Sequence, residues 1–95
     1  MSKHDEIAKK LAKKFKIEYK SDKGIDLVLK DKVIEVETKK ESLYKGTKQV
    51  EKSSKARYIA VNKLNIQNAI EVTKNTGIGV INEAGRIIKK ASRKK

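Results

Sequence analysis

Three carboxylates are spaced so that a single hairpin would bring them together. Asp26 stands in one extended segment, and Glu35 and Glu37 stand in the next. Because side chains alternate along a strand, Glu35 and Glu37 point to the same face, and Lys39 follows on that face. A short turn between the two segments would lay Asp26 beside Glu35. Oxygen ligands grouped in this way are those that Mg²⁺ prefers.

The same acids also have a simpler interpretation. Like charges that face each other across a hairpin repel, and a bound cation would offset that repulsion. A solvated acidic stripe, balanced by Lys32, Lys39 and Lys40, explains the spacing equally well. Spacing alone therefore leaves a metal site and a charged surface stripe as equal alternatives.

Two predicted strands, residues 25–29 and 32–39, must position these acids. In the first strand, Ile25, Leu27 and Leu29 point to the face opposite Asp26 and Val28. In the second, Ile34, Val36 and Thr38 point to the face opposite the acids. A two-residue link at Lys30-Asp31 joins the strands, which favours a hairpin.

The other segments predict an α/β domain. The order α-β-β-β-α-β-α-β-β indicates a mixed sheet with helices packed on it, because helices connect the later strands. The predicted elements are a helix from Ser2 to about Phe15, a strand at 16–20, a turn at 21–24, the two strands above, a short helix within 41–55, a strand at 57–61, a helix from Asn65 that Gly77 ends, and a hairpin of strands 79–82 and 86–90.

Length and composition set further limits. Ninety-five residues make one domain, 1–95, with a basic flexible tail at 91–95. The modest core makes a homodimer plausible. The chain has no cysteine, which excludes disulfides, thiolate metal sites and a cysteine nucleophile. Its first 15 residues hold no continuous apolar stretch, so we expect neither a signal peptide nor a membrane span, and a cytoplasmic location.

The net charge of +13 at pH 7 predicts a polyanionic partner, of which nucleic acid is the first candidate. A lysine coat that serves only solubility or heat resistance is the alternative. Because Phe15 and three tyrosines are the only aromatic residues, stacking on single strands is disfavoured, and duplex or branched DNA is expected. The residues expected to hold the DNA backbone are Lys9, Lys13, Lys45, Lys48, Gln49, Lys52 and Lys55.

These acids and this element order resemble the PD-(D/E)xK nuclease superfamily, which includes Holliday junction resolvases and many restriction endonucleases. Its signature is an acid on the second strand and an acid-x-lysine on the third. Gly24-Ile25-Asp26 matches the first part, and Ile34-Glu35-Val36-Glu37-Thr38-Lys39 is a variant of the second. Ile25 replaces the usual proline and Glu37 replaces the usual lysine, for which Lys39 is the best substitute. The family's α-β-β-β-α-β core corresponds to residues 2–61.

The resemblance implies a restriction endonuclease-like core followed by a helix and a C-terminal hairpin, and an Mg²⁺-dependent deoxyribonuclease in which Mn²⁺ can substitute. Asp26 and Glu35, with the carbonyl of Val36, would hold the metal. Glu37 would share that ion, hold a second one or orient the attacking water, and Lys39 would act as the catalytic lysine. In resolvase-like members a glutamate of the first helix completes the metal site, which indicates Glu6 here.

Several alternatives stay open. Glu6 serves equally well as an acid at the positive end of its helix, and Gln49 has a simpler interpretation as a solvated helix residue. His4 has no ligand partner at metal-binding spacing and is expected to be solvated. The chain as a whole could instead be a non-catalytic DNA-binding module of the same fold, or a small basic chromatin-type interaction protein.

Overall fold

A five-stranded mixed sheet lies between one helix and two others in the computed structural model, which describes residues 3–19 and 25–92. The elements in chain order are α1 (Lys3–Lys14), β1 (Leu27–Val28), β2 (Lys32–Glu37), α2 (Leu43–Glu51), β3 (Ala56–Val61), α3 (Ile66–Val72), β4 (Gly79–Ile81) and β5 (Ile87–Lys89). Short 3₁₀ turns, Lys40–Ser42 and Lys63–Asn65, precede α2 and α3.

The strands follow one another across the sheet in the order β1-β2-β3-β4-β5. The three central strands are parallel, and each edge strand runs antiparallel to its neighbour. Helices connect the parallel strands, as such crossovers require. The carboxyl ends of β2 and β3 therefore meet at one edge of the sheet, where Glu37 pairs with Val61.

Helix α1 covers one face of the sheet because its apolar residues recur at helical spacing. Ile7, Ala8, Leu11 and Ala12 are buried there against Ile34 and Val36 of β2, Tyr58 and Ala60 of β3, and Ile81 of β4. Helices α2 and α3 cover the other face through Leu43, Val50 and Ala69, which pack with Val33, Ile59, Val61 and Val80. Both faces of the central strands are thus covered, as is usual for parallel sheets.

The α/β class, the mixed sheet and both hairpins are confirmed, and the strand predicted at 57–61 is β3. The strand predicted at 16–20 is wrong for residues 16–19, which form a turn and irregular chain. Lys16 has a positive φ of 58°, and the amide of Ile17 donates to the carbonyl of Ala12, so this segment ends α1 instead of extending the sheet. The described elements follow the order α-β-β-α-β-α-β-β.

Parts of the prediction fall on residues that the structure does not describe: Ser2, the turn at 21–24, and residues 93–95 of the tail. In the described part of the tail, the amide of Ala91 donates to the hydroxyl of Tyr58 and that of Ser92 to the carbonyl of Gly77. No helix among the described residues combines the length and the apolar character needed to cross a membrane.

Candidate active site

Asp26 and Glu35 meet at the end of the β1–β2 hairpin. The amide of Asp26 donates to Glu35 Oε1 over 3.0 Å, and the amide of Val36 donates to Asp26 Oδ2 over 2.9 Å. The pairing of Leu27 with Ile34 places Asp26 at this point, one residue before β1 begins. Each carboxylate is thus held by a backbone amide of the neighbouring segment, with its other oxygen outside these two bonds.

Glu37 lies at the end of β2, where its half-buried side chain meets helix α2 at Gly46. A Cβ atom at position 46 would stand 2.7 Å from both Cγ and Oε2 of Glu37, closer than van der Waals contact allows. The glycine therefore lets the helix backbone approach the carboxylate. Lys45 lies close enough to Glu37 to interact with its charge.

The three acids repel one another in a partly dry environment. Burial raises the pKa of Glu35 to about 8, and the nearby charges of Asp26 and Glu37 contribute. Burial also raises the pKa of Glu37, with Asp26 adding to the shift and the Ser42 hydroxyl and Lys45 opposing it. Acids whose pKa is raised by burial and by neighbouring carboxylates are typical of functional sites, and a bound cation would favour their ionised form.

The donor set fits a hard divalent cation that is held by few protein ligands. Carboxylate oxygens are the donors that Mg²⁺ prefers, and Mg²⁺ commonly takes one or two carboxylates and completes its shell with water and phosphate oxygens. Across residues 3–19 and 25–92, no group of three or more acidic or histidine side chains is arranged to hold a metal by itself. Asp26 and Glu35, which a backbone hydrogen bond brings together, are the two carboxylates that such an ion would use.

His4 was predicted to be solvated, and that prediction is wrong. Its side chain is 32% exposed, and Nε2 lies 3.0 Å from Asp26 Oδ2. Burial alone would lower the pKa of His4, but Asp26 and Asp5 outweigh it and raise the pKa above the usual value. The signal was present in the sequence, since His4 shares a helical face with Ile7, Ala8 and Leu11. Glu6, the helix residue indicated by the resemblance, is exposed.

The predicted DNA-binding residues lie on two sides of the sheet. Lys9 and Lys13 are exposed on α1, whereas Lys45, Lys48, Gln49 and Lys52 are exposed on α2, across the sheet. Lys55 is half-buried, and its amino group donates to the carbonyl of Leu29 over 2.6 Å. Lys39 is exposed two residues beyond the end of β2. Of these residues, Lys45 lies close enough to Glu37 to interact with its charge, whereas Lys52 follows the far end of α2.

Comparisons of the chain with known protein families, with curated proteins and with solved structures find no match. What the protein does therefore has to follow from its charge, its fold and the carboxylates grouped at the end of β2.

Because the pKa of Glu35 is raised, the stability of the metal-free protein should depend on pH. The unfolded chain ionises Glu35 near pH 4.5, whereas the folded protein keeps the proton until about pH 8. We expect the free energy of unfolding of the wild type to fall between these values and that of Glu35→Gln to fall less. Urea unfolding in EDTA measures this, with exposed Glu71→Gln as the matched control. Parallel pH curves for wild type and Glu35→Gln would contradict the raised pKa.

The contact between Gly46 and Glu37 predicts an unusual response to a helix-favouring substitution. Alanine normally stabilises a helix interior by about 1 kcal/mol relative to glycine. In the wild type, Gly46→Ala is expected to lower stability because the new methyl group would collide with Glu37. In a Glu37→Ser background the same change is expected to be stabilising. Urea unfolding of the four proteins should give a coupling free energy of about 1 kcal/mol or more; additive effects would show that Glu37 does not occupy this position.

Proposed function

We propose that this protein is a metal-dependent endonuclease that hydrolyses phosphodiester bonds in duplex or branched DNA. The observation that carries the proposal is the grouping of Asp26, Glu35 and Glu37 at one edge of the sheet in a protein with a net charge of +13. Burial and mutual repulsion make it unfavourable to ionise acids that lie together. A cation bound between them would offset that cost.

The proposal includes a variant of the restriction endonuclease-like fold. Elements α1, β1, β2, α2 and β3 reproduce the family's order except for its first strand. Asp26 precedes β1 and the acid-x-acid sequence lies on β2; these would correspond to the family's second and third strands, which carry its signature. A homodimer and a cytoplasmic location belong to the same proposal and rest on composition alone.

The proposal gives each side chain of the site a catalytic role. Asp26 and Glu35, with the carbonyl of Val36, would hold Mg²⁺ or Mn²⁺. That ion would lower the pKa of a water molecule and neutralise the scissile phosphate. Glu37 meets α2 at Gly46 and would orient the attacking water. Lys45 supplies positive charge near Glu37, and Lys39 follows two residues after β2. Either would stand in for the family's lysine and balance charge that builds on the phosphate.

DNA would lie along the exposed side of α2. Lys45, Lys48 and Gln49 are exposed on that side, and Lys45 lies close enough to Glu37 to interact with its charge. Contacts from lysine to phosphate hold the backbone without reading sequence. DNA seated on this helix would bring a phosphate to the end of β2.

The direct experiment is incubation of the protein with linear, supercoiled and four-way-junction DNA in Mg²⁺, Mn²⁺ or EDTA. We expect cleavage with either metal and none in EDTA, and the comparison of the three DNAs would show whether branches are preferred. Exposed Glu71→Gln serves as a purification control and should cleave like the wild type. A protein that binds these DNAs but cuts none of them would refute the nuclease proposal.

A non-catalytic DNA-binding module of the same fold is the second candidate. Two observations favour it: Glu37 stands where the family has its lysine, and the described residues contain no ready-made set of three metal ligands. On this alternative the protein binds DNA in a salt-dependent manner and leaves every substrate intact with both metals. The assay above therefore separates the two candidates.

A further inference from the structure

Side-chain contacts link helix α1 to the carboxylate site. His4 Nε2 lies 3.0 Å from Asp26 Oδ2, the oxygen that also accepts the amide of Val36. The Asp26 side chain is only 11% exposed, so these contacts replace most of the water that would otherwise solvate it. Its carboxylate is held from the strand on one side and from the helix on the other.

The imidazole is itself held in place. His4 Nδ1 faces Asp5 Oδ1 at 3.4 Å, and the hydroxyl of Tyr19 donates to the same oxygen over 3.0 Å. The rings of His4 and Tyr19 also lie near each other, with centroids 6.4 Å apart. A ring with a carboxylate at each nitrogen has one preferred orientation, so His4 presents Nε2 to Asp26 rather than to solvent.

We infer that His4 is the positioning residue of the site: it orients Asp26 for metal binding, with Asp5 and Tyr19 fixing its ring. The inference rests on the proposed function and goes beyond it, because it assigns the role on α1 to His4 in place of Glu6. Partners that orient a ligating side chain commonly change metal affinity or activity by about 10-fold to 100-fold. Asp26 without His4 would keep its bond from Val36 but lose its second restraint.

The test compares His4→Gln with His4→Phe. A glutamine amide can still donate to Asp26, whereas phenylalanine fills a similar space and cannot donate. We expect His4→Phe to weaken binding of Mn²⁺ alone, measured by titration calorimetry, by about 10-fold to 100-fold and to slow DNA cleavage similarly. His4→Gln should lose clearly less. Asp5→Asn should fall between them, because it leaves His4 in place but weakens its orientation.

Measuring both the stability and the Mn²⁺ affinity of the two variants shows whether His4 orients Asp26 or only anchors α1 to the sheet. If both His4 variants lose equal stability and both keep wild-type Mn²⁺ affinity, His4 only holds α1 to the sheet and the inference is overturned. Equal loss of Mn²⁺ affinity in both variants would overturn it as well, since the donated hydrogen bond would then not matter.

The proposed function can fail separately from the inference. A wild-type protein that neither takes up Mn²⁺ nor cleaves DNA refutes the nuclease proposal, and the positioning of a metal ligand with it. A wild type that does both, together with an unimpaired His4→Phe, refutes the inference alone. The contact is also visible without metal: Asp26→Asn should shift the ¹⁵N signals of the His4 ring, and unchanged signals would show that the two side chains do not touch.

Discussion

Replacing Asp26 by asparagine, or Glu35 by glutamine, is expected to abolish Mg²⁺-dependent DNA cleavage while leaving DNA binding intact or stronger. Each change keeps the shape of the side chain and an oxygen that can accept the existing amide bond, but removes a negative charge. Loss of a metal that supplies about 4 kcal/mol to the transition state slows cleavage by about 10³-fold. Removing the charge of Asp26 near phosphates favours binding, whereas Glu35→Gln should leave metal-free binding intact at neutral pH, because the raised pKa keeps Glu35 largely protonated. Gel assays of cleavage and mobility-shift assays measure both effects.

The matched controls carry the same chemical change elsewhere. Asp31→Asn alters an acid whose side chain is 75% exposed, and Glu71→Gln alters an exposed acid of α3. Both should cleave at the wild-type rate. If Asp26→Asn loses binding together with cleavage, and its unfolding midpoint also drops, the acid supports the fold and the proposed catalytic role is wrong.

Strand β2 shows how much local pattern can predict. Alternation along residues 32–39 predicted that Ile34 and Val36 would share one face, and both pack with α1. The same rule put Val33 on the opposite face, where it packs with the residues of α2 and α3. Register could be predicted for the same reason, because a shift by one residue would expose every apolar side chain of the strand.

Local pattern failed where tertiary contacts decided the outcome. Ile17 and Tyr19 have high β propensity, yet they pack beside the α1 cluster as irregular chain because the segment leaves the helix through a left-handed turn at Lys16. The contact between His4 and Asp26 joins residues 22 positions apart, which no local spacing rule describes. The apolar stripe places His4 on the buried face of α1, but it does not show which residue of the sheet His4 meets.

Local pattern also could not explain why residue 46 is a glycine. A short helix was predicted within 41–55, and α2 is nine residues long; it runs without interruption through Gly46, although glycine has low helix propensity. The reason for the glycine lies in Glu37, which a side chain at position 46 would displace. Likewise, counting lysines along the sequence could not show that those of α1 and those of α2 lie on opposite sides of the sheet.

DNA affinity should fall steeply with salt, because a protein of charge +13 would bind mainly through phosphates. For about six to ten phosphate contacts, affinity drops by about 10³-fold to 10⁵-fold between about 50 and 200 mM salt. The double change Lys45→Gln and Lys48→Gln is expected to reduce the slope of log K against log salt by about 1.8, since each lysine that contacts a phosphate contributes about 0.9. Fluorescence anisotropy with a labelled duplex at five salt concentrations measures the slope.

Replacing lysine pairs on other surfaces shows which surface of the protein contacts DNA. Lys30 and Lys74 are exposed near the starts of β2 and β4, at the edge of the sheet opposite Glu37, so replacing both with glutamine removes the same charge but should leave the slope nearly unchanged. Replacing Lys9 and Lys13 tests whether α1 also contacts DNA. Equal slope changes for all three pairs would mean that the protein attracts DNA through its overall charge and has no defined phosphate-binding face, which would remove the reason to place a scissile phosphate at Asp26 and Glu35.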